Sequence, residues 1–302
     1  MSETTASPEL SPASVPAAPA IAAEPAGAAA VLTVPEPVST GAPTVVAIKS
    51  VKSRRVGVVP FLNAQPLMWG LKENYGISLV APNEMGKALK EGTLDVALAP
   101  IAASFLNPDL KIIPVAAIGC QGPVQSVRIV SHVALERVER LFVDSRSQTS
   151  VLLARLILQK WFGVKNLEVK PIDAHSFHPN QAKPWEATLQ FGDGALIPAP
   201  SGMTVTDLGA EWFRYTQKPF VFAVWLARDA EIAKEMEEPL RAARIEGVKH
   251  CEEIANQYHG IWQFKRTLAK EYLEKNIFYD YTPEQEKGIA EFLNLLKEQK
   301  LI

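Results

Sequence analysis

Four side chains sit where a small anionic molecule could be held: Asn63, Ser126, Thr149 and Ser150. Asn63 follows a short apolar run and precedes Pro66. Its amide can donate to developing negative charge or to a departing oxygen, and it cannot act as an ordinary general base at neutral pH. The same amide could instead satisfy a strand-end turn. Thr149 and Ser150 open an apolar helix directly after a strand, where free N–H groups and hydroxyls suit a carboxylate. Plain N-capping would use the same two residues. Ser126, in Gln125-Ser126-Val127, lies beside an expected crossing between lobes and carries the same pair of readings.

Other reactive types are less well placed. His175 and His178 fall in a loop-like stretch without the further ligands a metal needs, so no metal site is expected. Cys120 and Cys251 are far apart and show no CxxC spacing. Arg128 and Arg146 could pair with carboxylates but suit ordinary ion pairs as well. Asp193 would repel an anion, which favours a structural cap. Trp212, Phe220, Phe222 and Trp225 have apolar neighbours and read as core.

The elements that must position these residues alternate. Short apolar runs at 56–61, 77–80 and 95–99 predict buried strands, with helical stretches over 65–74 and 84–91 between them, the second capped by Asn83. Further strands are expected at 112–118, 126–130, 141–143, 168–172, 194–197 and 219–227. The stretch 149–162 is apolar on nearly every face, as suits a helix wedged into a core. Thr282-Pro283-Glu284-Gln285 forms a capping box ahead of a closing helix whose apolar face is Ile289, Phe292, Leu293 and Leu296. Two β-α-β sets followed by helices predict an α/β protein: two lobes, mixed or parallel sheets with covering helices, and a ligand cleft between them. The expected first lobe is 54–130 plus 221–302, and the second is 131–220.

Composition narrows the function classes. The chain has 302 residues, 47% hydrophobic and 21% charged, with formal net charge −2. Four acids, Glu3, Glu9, Glu24 and Glu36, precede the first base, Lys49, which leaves 29 acids against 31 bases in the remainder. Neither part is basic enough for a nucleic-acid binder, and no apolar run reaches the ~18 residues of a membrane span. Residues before Lys49 hold 8 of the 23 prolines and 13 alanines without one aromatic. Such a segment buries too little to offset its entropy, so 1–53 is expected to be a disordered tail. It lacks the basic start and compact apolar core of a secretion signal, which favours a cytoplasmic protein.

Several segments, in order, resemble the chorismate dehydratases of the futalosine route to menaquinone. They are Val56-Gly-Val-Val-Pro-Phe-Leu-Asn-Ala-Gln-Pro-Leu67, Gly92-Thr-Leu-Asp-Val-Ala-Leu98, Gly122-Pro-Val-Gln-Ser-Val127 and Asp144-Ser-Arg-Ser-Gln-Thr-Ser-Val151. Gly192-Asp-Gly-Ala-Leu196 follows, and Asp207-Leu-Gly-Ala-Glu-Trp212 with Pro219-Phe-Val-Phe-Ala-Val-Trp225 completes the series. The resemblance spans about 54–300. It implies a periplasmic-binding-protein-like type II fold, elimination of water from chorismate to give 3-[(1-carboxyvinyl)oxy]benzoate, and no metal or organic cofactor. It also implies that Asn63, which matches the motif asparagine, is catalytic; Ser126, Thr149 and Ser150 are expected as substrate-binding residues on the reading of their positions given above. One stretch departs from the family. After Asp95-Val-Ala-Leu98 the family shows serines and then an acid, whereas these positions are Pro100, Ile101 and Ala103 here. Two other functions fit the same fold: a non-catalytic intracellular binder of small carboxylates, and the sister dihydroxynaphthoate synthase, which would need a base-competent histidine at the cleft.

Overall fold

The computed structural model describes residues 54–172, 178–258 and 265–302. The tail expected over 1–53, and His175, lie outside them. The strands are β1 (Arg55–Val58), β2 (Gly76–Leu79), β3 (Val96–Pro100), β4 (Lys111–Cys120), β5 (Val127–Ser131), β6 (Arg140–Val143), β7 (Glu168–Pro171), β8 (Glu186–Phe191), β9 (Thr204–Asp207) and β10 (Phe220–Ala227). They form two five-stranded sheets, ordered β2-β1-β3-β10-β4 and β7-β6-β8-β5-β9. In each sheet the first three strands are parallel, and a strand arriving from the other half of the chain inserts antiparallel.

The helices are α1 (Met85–Lys90), α2 (Ile101–Leu106), α3 (Gln148–Leu156), α4 (Leu208–Thr216), α5 (Ala230–Lys249), α6 (Cys251–Gln257), α7 (Arg266–Glu271) and α8 (Pro283–Glu298). β3 and β5 are buried at every position, the pattern of strands covered on both faces. Thr282 accepts from the Gln285 N–H while the Gln285 side chain accepts from Thr282 N–H, closing the capping box at the start of α8. Trp212 on α4, Phe220 on β10 and Phe292 on α8 meet edge-on with ring centroids 4.9–5.8 Å apart, joining elements of both halves. Among the described residues no helix is long and apolar enough to cross a membrane.

Several elements differ from the expectation. The stretch 65–74 is not an α-helix but two 3-10 turns, Leu62–Met68 and Leu71–Glu73. Pro66 has no N–H to donate, and Gly70 takes φ +69° between them. Asn83 lies inside a 3-10 turn ahead of α1 rather than capping it. Asp193–Leu196 is a 3-10 turn, not a strand. The strand before it, β8, starts on a glutamate that Arg140 neutralises, and therefore lacks an apolar signature. The lobe boundary also moves. Residues 54–130 were expected in the first lobe, but β5 pairs with β8 and β9 of the second sheet. The chain thus crosses over residues 121–126, where an Asp207 carboxylate accepts from the Val124 and Gln125 N–H groups at 3.1 and 2.6 Å. The same carboxylate caps α4 through the Ala210 N–H.

Candidate functional site

Between the sheets lies a cavity of about 580 Å³, counting its solvent-open mouth. It opens at the C-terminal ends of the parallel strands, the usual place for a ligand in such sheets. Asn63, Ser126, Thr149 and Ser150 all line it. The turn Leu62–Met68 after β1 brings Asn63, the crossing brings Ser126, and the first turn of α3 after β6 brings the other two. Sequence positions 63, 126, 149 and 150 thereby meet at one surface.

The turn that carries Asn63 is held from two sides. Gly247 of α5 lies so close behind it that a Cβ there would stand 1.8 Å from the Pro66 carbonyl oxygen. From the opposite lobe, the Asp193 carboxylate accepts from the Leu62 N–H at 3.1 Å and from the Tyr258 hydroxyl. Asp193 is therefore a structural cap, reaching across the cleft. Burial raises its pKa above the usual carboxylate range despite these two bonds. Gly192 beside it has φ +69° and leaves room for the Phe61 ring, whose edge would be 3.1 Å from a Cβ.

Asn63 Nδ2 donates to the Tyr272 hydroxyl at 3.0 Å, and that hydroxyl donates to Ser126 Oγ at 2.8 Å. The buried Asn63 Oδ1 has no protein partner. On the other wall Thr149 Oγ1 accepts from the Ala102 N–H at 3.2 Å, and Ser147 donates to Ser150 Oγ at 2.7 Å. No side chain caps α3. Ser147, Thr149 and Ser150 of its first turn line the cavity, which puts the positive end of the helix dipole beside it.

Among the described residues none that lines the cavity is charged, and the aromatic wall is Phe61, Phe191 and Phe222. Phe222 belongs to the buried core, as expected, and its ring also lines the cavity. Trp212, Phe220 and Trp225 are fully buried. Arg128 is engaged with Gln190 and the Ile197 carbonyl, and Arg146 with Asp144. His178 is exposed on a turn of the second lobe and does not line the cavity. Among the described residues no three His, Cys, Asp or Glu side chains gather as metal ligands. Pro100, the first of the positions where the resemblance leads one to expect hydroxyls, stands on the cavity wall. Sequence reasoning missed Tyr272, because its helical apolar setting reads as core and its partners are 146 and 209 positions away.

A two-lobed α/β chain with mixed sheets and a polar-flecked cavity between them has the periplasmic-binding-protein-like fold. Solved structures bear this out. The protein AF1704 from Archaeoglobus fulgidus is similar with a TM-score of 0.69 at 14% identity, over 83% of this chain and 98% of that one. The Candida albicans CA3427 gene product, described as exhibiting the generic periplasmic binding protein fold, gives 0.54 at 13% identity over 83% and 90%. A family profile described as menaquinone biosynthesis matches residues 54–298, and the chain belongs to that family. A curated relative, the chorismate dehydratase of Thermus thermophilus, is 25% identical over 247 residues, which is 71% of this chain and 89% of the relative.

Proposed function

We propose that this chain is a cytoplasmic chorismate dehydratase, a carbon–oxygen lyase that eliminates water from chorismate to give 3-[(1-carboxyvinyl)oxy]benzoate for menaquinone biosynthesis. The observation that carries the reading is the meeting of Asn63, Ser126, Thr149 and Ser150 around one cavity, in a chain similar to a chorismate dehydratase.

The chemistry suits such a cavity. The proton lost is on the ring carbon bearing the enolpyruvyl ether, vinylogous to the ring carboxylate, and the hydroxyl lost is on the next carbon. Aromatisation drives the step, so the protein must chiefly orient a dianion, exclude water and stabilise spread charge. The N–H groups at the start of α3, with the Thr149 and Ser150 hydroxyls, receive a substrate carboxylate. Ser126 holds the opposite edge of the substrate. Asn63 spends one Nδ2 proton on Tyr272 and keeps the second for the departing oxygen or the delocalised charge. A substrate carboxylate can take the ring proton itself, since the described residues of the cavity wall include no carboxylate or histidine. No redox change or group transfer accompanies the elimination, so no cofactor is required.

The test is conversion of chorismate by the purified protein in buffer containing a chelator, followed by chromatography of the aromatic enolpyruvyl ether. The wild type is expected to form product, and Asn63→Ala to lower kcat by about 100- to 1,000-fold. No product from folded wild type would overturn the reading. Thermal shifts with small carboxylates would then show whether the cavity serves a binder without turnover.

A further inference from the structure

Tyr272 does not line the cavity, yet its hydroxyl joins two groups that do. The side chain is fully buried, and it opens a single π-helical turn, Tyr272–Asn276, that continues α7. Such turns cost hydrogen-bond geometry and often mark functional positions. Burial raises the phenol pKa, so the hydroxyl keeps its proton and can donate and accept at once. It donates to Ser126 Oγ and accepts from Asn63 Nδ2, a row assembled from three distant segments.

That row settles a problem Asn63 cannot settle alone. An asparagine side-chain amide presents nearly the same shape when turned over, with donor and acceptor exchanged. Asn63 Oδ1 has no protein partner to define its orientation. Among the described residues the amide's side-chain bond is Nδ2 to Tyr272, and it distinguishes the two ends because the Tyr272 proton is committed to Ser126 Oγ, which leaves the hydroxyl to accept. We propose that Tyr272 is a positioning residue which, by bonding Asn63 and Ser126 together, fixes which end of the Asn63 amide faces the substrate. The inference rests on the reading of Asn63 as the group at the reacting centre.

Phenylalanine at 272 would keep the buried ring and remove only the hydroxyl. Tyr272→Phe is expected to lower kcat for chorismate by about 10- to 100-fold while KM stays within about threefold, because the loss is of orientation and not of binding. In an Asn63→Ala background the same change is expected to cost less than about twofold, since the group it positions is gone. A full, independent loss in both backgrounds, or an unaltered kcat in Tyr272→Phe, would overturn the proposal. A second readout does not depend on turnover. The Asn63 side-chain amide signal, identified by its absence from Asn63→Ala, should exchange its protons at least about tenfold faster in Tyr272→Phe than in wild type. Unchanged exchange, or wild-type exchange as fast as that of an exposed amide, would overturn it too. Failure of wild type to convert chorismate, with the exchange difference intact, would remove the dehydratase reading and leave the hydrogen-bonded row standing.

Discussion

The two sheets share one plan and differ in how they face the cavity. In each, an arginine at the start of the first parallel strand pairs with a carboxylate at the start of the third: Arg55 with Asp95 below β1 and β3, Arg140 with Glu186 below β6 and β8. These charges gather at the N-terminal ends of the strands. At the C-terminal ends, which open on the cavity, the described lining residues are uncharged. After β6 the second lobe places a helix N-terminus, a donor array that needs no particular side chain. After β1 the first lobe places a 3-10 turn with two side-chain amides, of which Asn63, not Gln65, lines the cavity. One lobe therefore offers a diffuse anion site and the other a single oriented group. Damage to the single group of the first lobe should act on turnover, and damage to the anion site of the second lobe on binding.

The strongest way to break this contrast is to push the Asn63 turn from behind. A methyl at position 247 would overlap the Pro66 carbonyl, so Gly247→Ala must separate α5 from the turn. A displacement near 1 Å at a reacting group costs about 100-fold in rate, and overpacking costs about 1–3 kcal/mol of stability. We expect kcat to fall by about that 100-fold while KM changes far less. A KM effect as large as the kcat effect would show that the first-lobe turn also binds.

Thr149→Val tests the second lobe. It keeps the shape of the side chain but removes the oxygen that accepts from Ala102. KM is expected to rise about tenfold, the worth of roughly one hydrogen bond to a charged group, with kcat nearly unchanged. A loss confined to kcat would erase the division of labour between the lobes.

The charged ends of the strands should touch neither constant. Burial alone would raise the Asp95 pKa, but the Arg55 side chain and N–H, with Arg228, outweigh it and hold the carboxyl below its usual range. For Glu186 the Lys183 N–H and Arg140 outweigh burial in the same direction. Both pKa values are depressed on folding, so this stability is present above the unfolded values and lost as pH falls through the folded ones, below about pH 4. Asp95→Asn should cost about 1 kcal/mol at pH 7, a modest figure because Arg55 is half-exposed and screened. The gap to wild type should close in acid denaturation scans, and kcat should be unchanged at every pH where the variant is folded.

What the sequence revealed follows the same division. The buried strands β1, β3, β4 and β10 were legible because their apolar runs are local, and the α8 capping box because its partners are three residues apart. The α3 N-terminus was legible because it needs only a strand and then a helix. Features built from remote partners were not. Asp193 reads as a cap, but nothing local says that it caps a turn 131 positions earlier. Tyr272 reads as core until its hydroxyl is seen between Asn63 and Ser126. β8 escaped notice because a glutamate at a strand start makes sense only beside Arg140.

The smallest expected effect concerns the point where the first lobe has least polarity. Pro100 is the N-cap of α2 and stands on the cavity wall, with no side-chain hydrogen bond to the helix. With Leu98 and Pro100 apolar on the wall, the first lobe acts through Asn63. Pro100→Ser would supply a cap oxygen to the first turn of α2, and the position already has the extended backbone that caps prefer, at φ −52° and ψ 138°. It would also return the amide hydrogen that proline lacks, at the end of β3 where the chain pairs with Ala223. The cap is worth about 0.5–1 kcal/mol of stability, reduced by the greater freedom of the unfolded chain once proline is gone. If the hydroxyl turns to the cavity instead, kcat/KM for chorismate should rise about two- to fivefold without a gain in melting temperature, since one neutral hydrogen bond contributes about 1 kcal/mol. A higher melting temperature with unchanged kcat/KM would show that the serine serves the helix. The first lobe would then remain a one-group lobe even with its hydroxyl restored, and the contrast with the second would be sharper than the family pattern implies.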